Sequence, residues 1–380
     1  MLFGYMGYFE MSIRFDEYKY GYRVVSFAQD SIAKDKLMAE GLSVVYLDEN
    51  KMKLVMLPEE IVLSDNPAHI EKARMYNNYD VFEIWENGVF SRKYNDKSDD
   101  NYFFITGKCN SNCIMCPSPE YSRKVSETMQ LDDLMELARH IPSDAPHLTI
   151  TGGEPFLVGE QIFTFLQYLK EKFDGTEFLF LTNGRIFAVD KYLQKFCETA
   201  PCNSIVAIPV HGSCQQIHDT ITRTDGSFKQ TILGIKRLLK SGIPVEIRLV
   251  VSKKNIEDFD NITNLIINEI PGIEYVSVIA MEMTGTARMN QDEVWIPYKQ
   301  SFLSIANAIR TLIKNKIDVK LYNFPLCTVE RPFWTLCEKS ISDNKVRFAE
   351  DCDRCRYKGA CSGVFGGTLH LEKDELRAIL

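Results

Sequence analysis

Between residues 100 and 315 the chain alternates strand-like apolar runs with helical patterns six times over, and this alternation constrains the fold more than any other feature. The runs are NYFFIT, HLTIT, EFLFLT, SIVAIPV, VEIRLVV and YVSVIAM. Helical patterns follow them in turn over 129–140, 160–173, 189–199, 228–240, 258–268 and 298–314. Short buried strands separated by amphipathic helices pair in parallel through right-handed crossovers. Six such units predict an α/β fold, a partial (β/α)6 TIM-like barrel, whose chemistry gathers at the C-terminal ends of the strands. The unusual residues stand there: GKCNSNC, TGGEP, TNG, HG and MTG each follow a strand-like run.

The flanks read differently. Residues 1–98 hold strand-like runs such as LSVVYL, MKLVML and VFEIWE between polar turns, which predicts a small β-rich domain. The polar stretch KYNDKSDDN at 93–101 is expected to be a linker into the barrel, assigned to 99–317. Residues 318–380 carry cysteines and glycines with little periodicity, the pattern of a segment organised by metal rather than by a large core. Met1, Met6 and Met11 are each plausible starting residues.

Composition narrows the function classes. The net charge is −8 and no basic run tracks a phosphate backbone, which argues against a dedicated nucleic-acid binder. No apolar run approaches the roughly 20 residues of a membrane helix, and the start lacks a secretory pattern. The expected location is the cytoplasm. There, eleven cysteines in 380 residues point to metal or redox chemistry rather than disulfides.

Eight cysteines fall in two groups. Cys109, Cys113 and Cys116 form C-x3-C-x2-C directly after the first strand. Three such thiolates can hold three irons of a 4Fe-4S cluster and leave the fourth open to a chelating amine and carboxylate. A zinc site with a fourth ligand from elsewhere, or three core cysteines, are the other readings of this spacing. Gly152, Gly153, Glu154 and Pro155 follow the second strand, where glycines allow close backbone approach and the next helix offers N–H groups. The second group is Cys327, Cys337, Cys352, Cys355 and Cys361. It suits one 4Fe-4S cluster, with a four-cysteine zinc ribbon as the alternative. Cys327, Cys352, Cys355 and Cys361 are the expected ligands, since Cys337 lies in the apolar PFWTLC run.

CNSNCIMC with GGEP resembles the radical SAM superfamily over residues 100–315. The resemblance implies that Cys109, Cys113 and Cys116 ligate the catalytic cluster, and that Gly152 to Pro155 contact the amine of S-adenosylmethionine (SAM). It further implies that Asn183 lies near the ribose and that Arg223 and Arg248 pair with the SAM carboxylate, a structural ion pair being the other reading of each arginine. Met115 stands where relatives often have an aromatic residue, and its thioether can still pack on adenine. His211 and His218 have the simpler reading of hydrogen-bonding residues. Pro209 stands where many relatives have a serine. The C-terminal cysteines resemble the SPASM or twitch modules that carry auxiliary clusters, with fewer cysteines than the full pattern.

DVFEIWENGV, MEMTGTARMNQDEVWIPY, YNFPLC and KSISDNK resemble the type C radical SAM maturases of the His-Xaa-Ser peptide system. This implies a ribosomally made peptide substrate, a second radical SAM maturase as partner, and an electron donor such as flavodoxin or ferredoxin. The expected product is an oxidative modification, with the N-terminal domain docking the peptide by strand addition. Two rivals remain: a radical SAM enzyme acting on a small molecule or nucleotide, and a non-catalytic iron-sulfur or zinc scaffold.

Overall fold

The computed structural model describes residues 12–119, 123, 128–342 and 345–380. The three candidate starting methionines, and Asp343 and Asn344 of KSISDNK, lie outside the described residues.

Seven strands make the N-terminal sheet: β1 (Ile13–Arg14), β2 (Arg23–Ala28), β3 (Val44–Asp48), β4 (Lys53–Leu57), β5 (Ile61–Ser64), β6 (Val81–Ile84) and β7 (Val89–Tyr94), in the order β1-β7-β6-β2-β3-β4-β5. Two helices that periodicity did not reveal belong to it, α1 (Ser31–Ala39) and α2 (Pro67–Ala73). Each is too short to repeat an apolar face, and each starts on a side-chain cap: Asp30 accepts from the Ala33 N–H, and Asn66 from the Ala68 N–H. α1 is the crossover that lets β2 and β3 pair in parallel.

The expected linker is instead a pinned turn. Asn101 is buried and its side chain bridges the stretch, accepting from the Asn95 N–H at 2.8 Å and donating to the Asn95 and Ser98 carbonyls. Buried Ser26 of β2 also meets the His140 ring at 2.9 Å, so the N-terminal sheet packs on the barrel.

The barrel is an eight-stranded, wholly parallel sheet in sequential order. Its strands are β8 (Tyr102–Phe104), β9 (His147–Thr151), β10 (Glu177–Leu181), β11 (Ser204–Pro209), β12 (Val245–Val250), β13 (Tyr275–Ile279), β14 (Val319–Tyr322) and β15 (Cys337–Glu338). Between them run α3 (Leu131–His140), α4 (Gln161–Lys172), α5 (Asp190–Thr199), α6 (Gln215–Thr222), α7 (Ser227–Lys240), α8 (Phe259–Glu269), α9 (Gly285–Met289), α10 (Gln291–Val294) and α11 (Tyr298–Lys314). The six expected βα units are all present. β14 and β15, in the stretch assigned by sequence to the C-terminal module, carry the sheet two strands further. Beyond them are the pair β16 (Val346–Arg347) and β17 (Val364–Phe365), then α12 (Gly366–Glu372).

Alternation divides each barrel strand between two environments. Val206, Ile208, Ile247, Leu249, Val276 and Val278 face the helices and join the main core. Their alternates share the other face of the sheet, apolar on β10–β11 (Leu179, Leu181, Ile205) and polar on β12–β14 (Glu246, Arg248, Tyr322). Beneath the GGEP turn, Phe156 meets Phe187 at 5.2 Å, and Phe196 meets Phe180 and Phe187 at 5.1 and 5.0 Å. Each such ring contributes about 1.5–3 kcal/mol by burial, which fixes the turn to the core.

Candidate active site

The three-cysteine loop leaves β8 and is joined at once to the GGEP turn. The Gly153 N–H donates to the Thr106 carbonyl at 2.7 Å, and the Glu154 N–H to the Lys108 carbonyl at 2.8 Å. A Cβ on Gly152 would lie 2.3 Å from the Thr106 oxygen, and one on Gly153 the same distance from that of Lys108. The glycines are thus required for one backbone to press on another, before any ligand is considered.

Glu154 does not reach outward. Its buried carboxylate accepts from the Thr182 hydroxyl (2.8 and 3.0 Å), the Asn183 N–H (2.8 Å) and the Phe156 N–H (3.3 Å), tying the end of β9 to the end of β10. Burial raises its carboxyl above the usual range, against the pull of these donors. The Asn183 side chain donates to the Asn110 oxygen at 2.7 Å, so Asn183, the GGEP turn and the cysteine loop are drawn into one mouth.

The loop is held from the far side as well. The Asn112 and Ile114 N–H groups donate to the Thr222 and Ile221 carbonyls at the end of α6. The Ala287 N–H reaches the Cys116 carbonyl at 3.2 Å, and the Asn290 amide the Ile114 carbonyl at 3.0 Å. Gly285, in left-handed backbone, lies so close to the Pro117 oxygen that a Cβ would come within 2.1 Å.

Within this clamp two of the thiols are costly to ionise. Burial pushes Cys113 up to about 12 and Cys109 to about 11, with Cys116 adding to both shifts and Cys109 to that of Cys113. Metal coordination removes such a penalty by supplying positive charge. The Ser111 N–H also points at the Cys109 sulfur, at 3.4 Å.

The remaining expected residues separate. Met115 is buried in the main core cluster. Arg223, left-handed at the end of α6, is exposed and donates to the Asn290 side chain at 3.3 Å. Arg248 turns down its strand toward buried Glu246, 3.6 Å away, rather than up to the mouth. The His218 Nδ1 accepts from the His211 N–H at 3.2 Å, and burial holds both rings neutral, with values near 4 and 3.

Two arginines were not singled out by sequence. Arg185 donates to the Asn110 carbonyl (2.8 Å) and the Ser111 hydroxyl (3.3 Å); its signal was a basic residue directly after TNG at a strand end. Arg123 is buried against the cysteine loop, and nothing in EYSRKV distinguishes it from a solvated charge run.

At the C-terminal side, Cys327, Cys352, Cys355 and Cys361 line one pocket, whereas Cys337 is not among its lining residues. Backbone N–H groups point at two of these sulfurs: Leu326 and Gly363 at Cys361 (3.4 and 3.5 Å), and Ile379 at Cys355 (3.4 Å). Burial pushes Cys327 up to about 11. Among the described residues no three His, Cys, Asp or Glu are gathered tightly enough for a single ion. Cluster ligands each take a different iron and stand further apart.

A model of the radical SAM superfamily matches residues 103–266. Residues 103–266 are a radical SAM domain. Domains of this enzyme superfamily use a 4Fe-4S cluster and SAM, and the thiols and glycine turn described above fit that pair. Among curated proteins, the chain is 26% identical to an AdoMet-dependent heme synthase of Methanosarcina barkeri over 40% of its own length and 43% of that protein. It is 26% identical to a GTP 3′,8-cyclase of Petrotoga mobilis over 70% and 79%. It is also 32% identical to the antilisterial bacteriocin subtilosin biosynthesis protein AlbA of Bacillus subtilis over 40% and 33%. The chain spans about half the length of most curated relatives it matches. No described helix is long and apolar enough to cross a membrane.

Proposed function

We propose that this chain is a radical SAM enzyme that abstracts hydrogen from a ribosomally made peptide and installs an oxidative modification, in a system of the His-Xaa-Ser type. The observation that carries the catalytic reading is the direct backbone union of the three-cysteine loop with the GGEP turn. The cofactor pair, when bound, supplies reductive cleavage of SAM to methionine and a 5′-deoxyadenosyl radical.

The chain's own residues do the rest. Cys109, Cys113 and Cys116 hold the cluster, Gly152 to Pro155 present backbone to the SAM amine, and Asn183 lies at the ribose. Arg223, beside the cysteine loop, is better placed than Arg248 for the SAM carboxylate; Arg248 and Glu246 line the lumen where substrate sits. Met115 bears on adenine from the core side of the loop. The apolar wall of β10–β11 excludes water from a reactive intermediate. Cys327, Cys352, Cys355 and Cys361 hold an auxiliary 4Fe-4S cluster that accepts the substrate's second electron. The exposed edge at β5, with Val62 half exposed, takes the peptide as an added strand. Flavodoxin or ferredoxin is the electron donor, and a second radical SAM maturase the partner.

The peptide reading is supported by the likeness to AlbA and by the auxiliary cysteine site. The nucleotide reading has one observation in its favour, the long match to the GTP cyclase, and is tested beside it. Anaerobically reconstituted protein, given SAM and dithionite, should release 5′-deoxyadenosine, and its Cys113→Ala variant should not. A candidate precursor peptide should then change mass while GTP does not. Release of no 5′-deoxyadenosine from fully loaded protein would leave the scaffold reading standing.

A further inference from the structure

Arg123 is 6% exposed, and its guanidinium is bonded at the cysteine loop. It donates to the Ser118 carbonyl at 2.8 Å, the Asn112 side-chain oxygen at 2.5 Å and the Thr286 hydroxyl at 3.1 Å. All three acceptors are neutral. Burying a cation is costly, and hydrogen bonds to neutral groups replace only part of its lost hydration. Most other arginines and lysines of the chain that pair at all do so with carboxylates at the surface, where solvent shares the charge.

The negative charge that balances Arg123 is close by in the chain and in space. Asn112 lies between Cys109 and Cys113, Ser118 lies two residues past Cys116, and Thr286 adjoins Ala287, whose N–H holds the Cys116 carbonyl. The guanidinium therefore sits against the same loop that brings the three thiols together. Its field opposes the burial penalty at both Cys109 and Cys113.

We propose that Arg123 is the counter-ion of the cluster site and raises the reduction potential of the cluster that Cys109, Cys113 and Cys116 hold. The inference rests on the proposed cluster reading. Three thiolates outweigh the positive core of an oxidised 4Fe-4S cluster, and uptake of one electron from a low-potential donor adds to that excess. A fixed, desolvated cation stabilises the more negative state more than the less negative one, so it favours the reduced form. Arg123 is a positioning and tuning residue, acting through the loop that carries the thiols.

The test is an anaerobic redox titration of the full reconstituted chain, with iron and sulfide assayed for each variant. The EPR signal that changes on adding SAM reports this site and separates it from the C-terminal one. Arg123→Gln should load iron and show a reduced-to-oxidised ratio about tenfold lower at the potential that half-reduces the native protein, equivalent to ~59 mV for one electron. Arg123→Lys and Thr286→Val, which keep the charge, should stay near the native midpoint. A loaded Arg123→Gln protein with an unchanged midpoint overturns the proposal, as does an Arg123→Lys protein shifted as far as Arg123→Gln. Should Arg123→Gln hold no iron, Arg123→Lys decides: normal loading and midpoint support the charge role, and an equally empty site overturns it. If the native protein gives no SAM-responsive signal, the cluster reading has failed instead.

Discussion

The two cysteine sites are built by opposite means. At the barrel mouth the thiols ride on a loop whose backbone is bonded to a neighbouring strand end, to α6 and to α9, so the scaffold sets their positions. At the C-terminal side, the four thiols sit on 3-10 turns and loops around a pocket, and their nearest order comes from N–H groups aimed at sulfur. A parallel sheet can fix a site before its metal arrives, whereas loops with little core of their own draw much of their order from the metal.

The sharpest way to break this comparison is at the scaffold. Cys113→Ala should lower 5′-deoxyadenosine formation at least about 100-fold, since it removes a ligand on which the chemistry depends, while the C-terminal site keeps its iron. Substantial residual formation would show that the mouth does not need all three thiols. Gly153→Ala should cost about 3–5 kcal/mol by driving a Cβ into the Lys108 carbonyl. Mouth iron should fall with it although every ligand remains, as read by thermal melting and iron content. Native-like loading in that variant would mean that the loop does not depend on the turn.

Removal of metal sharpens the contrast from the other side. After chelation, limited proteolysis should cut within 345–380 first and leave the barrel intact. Equal rates of cleavage would make the two sites alike.

The smallest expected effect concerns how the C-terminal segment is fastened to the barrel. Glu372 on α12 accepts the Tyr298 N–H at 2.9 Å and so caps α11, and burial pushes its carboxyl from 4.5 up to about 7. The folded state holds this proton more tightly than the unfolded chain does. The contribution of this carboxyl to stability is therefore full below pH 4.5 and declines as pH rises toward 7, by up to about 3 kcal/mol. Glu372→Gln should flatten that window, as read by denaturant midpoints at pH values on either side of it.

What was legible in the sequence follows from how each feature is encoded. Each barrel strand repeats the same apolar alternation and each following helix the same amphipathic stripe, so the six units could be counted. The cysteines announced themselves by spacing. α1 and α2 could not, because nine and seven residues hardly repeat a helical face. β15 has two residues and no period at all. Side-chain direction was equally hidden: Arg248 looks the same in sequence whether it rises to the mouth or turns to Glu246. The demand for Gly152 and Gly153 was visible, but its cause, the neighbouring backbone of Thr106 and Lys108, appears only once β8 lies beside β9.

The clamp on the cysteine loop also dictates an order of events in the making of the protein. The Asn290 amide that holds the Ile114 carbonyl lies 176 residues further along the chain. On the ribosome, the cysteines emerge long before the segment that pins them, and they wait as exposed thiols until the sixth strand and its following turn have been synthesised and folded. On the proposed cluster reading, iron delivery to this loop would accordingly be a late step, and a nascent chain arrested before residue 285 would offer an incomplete cradle.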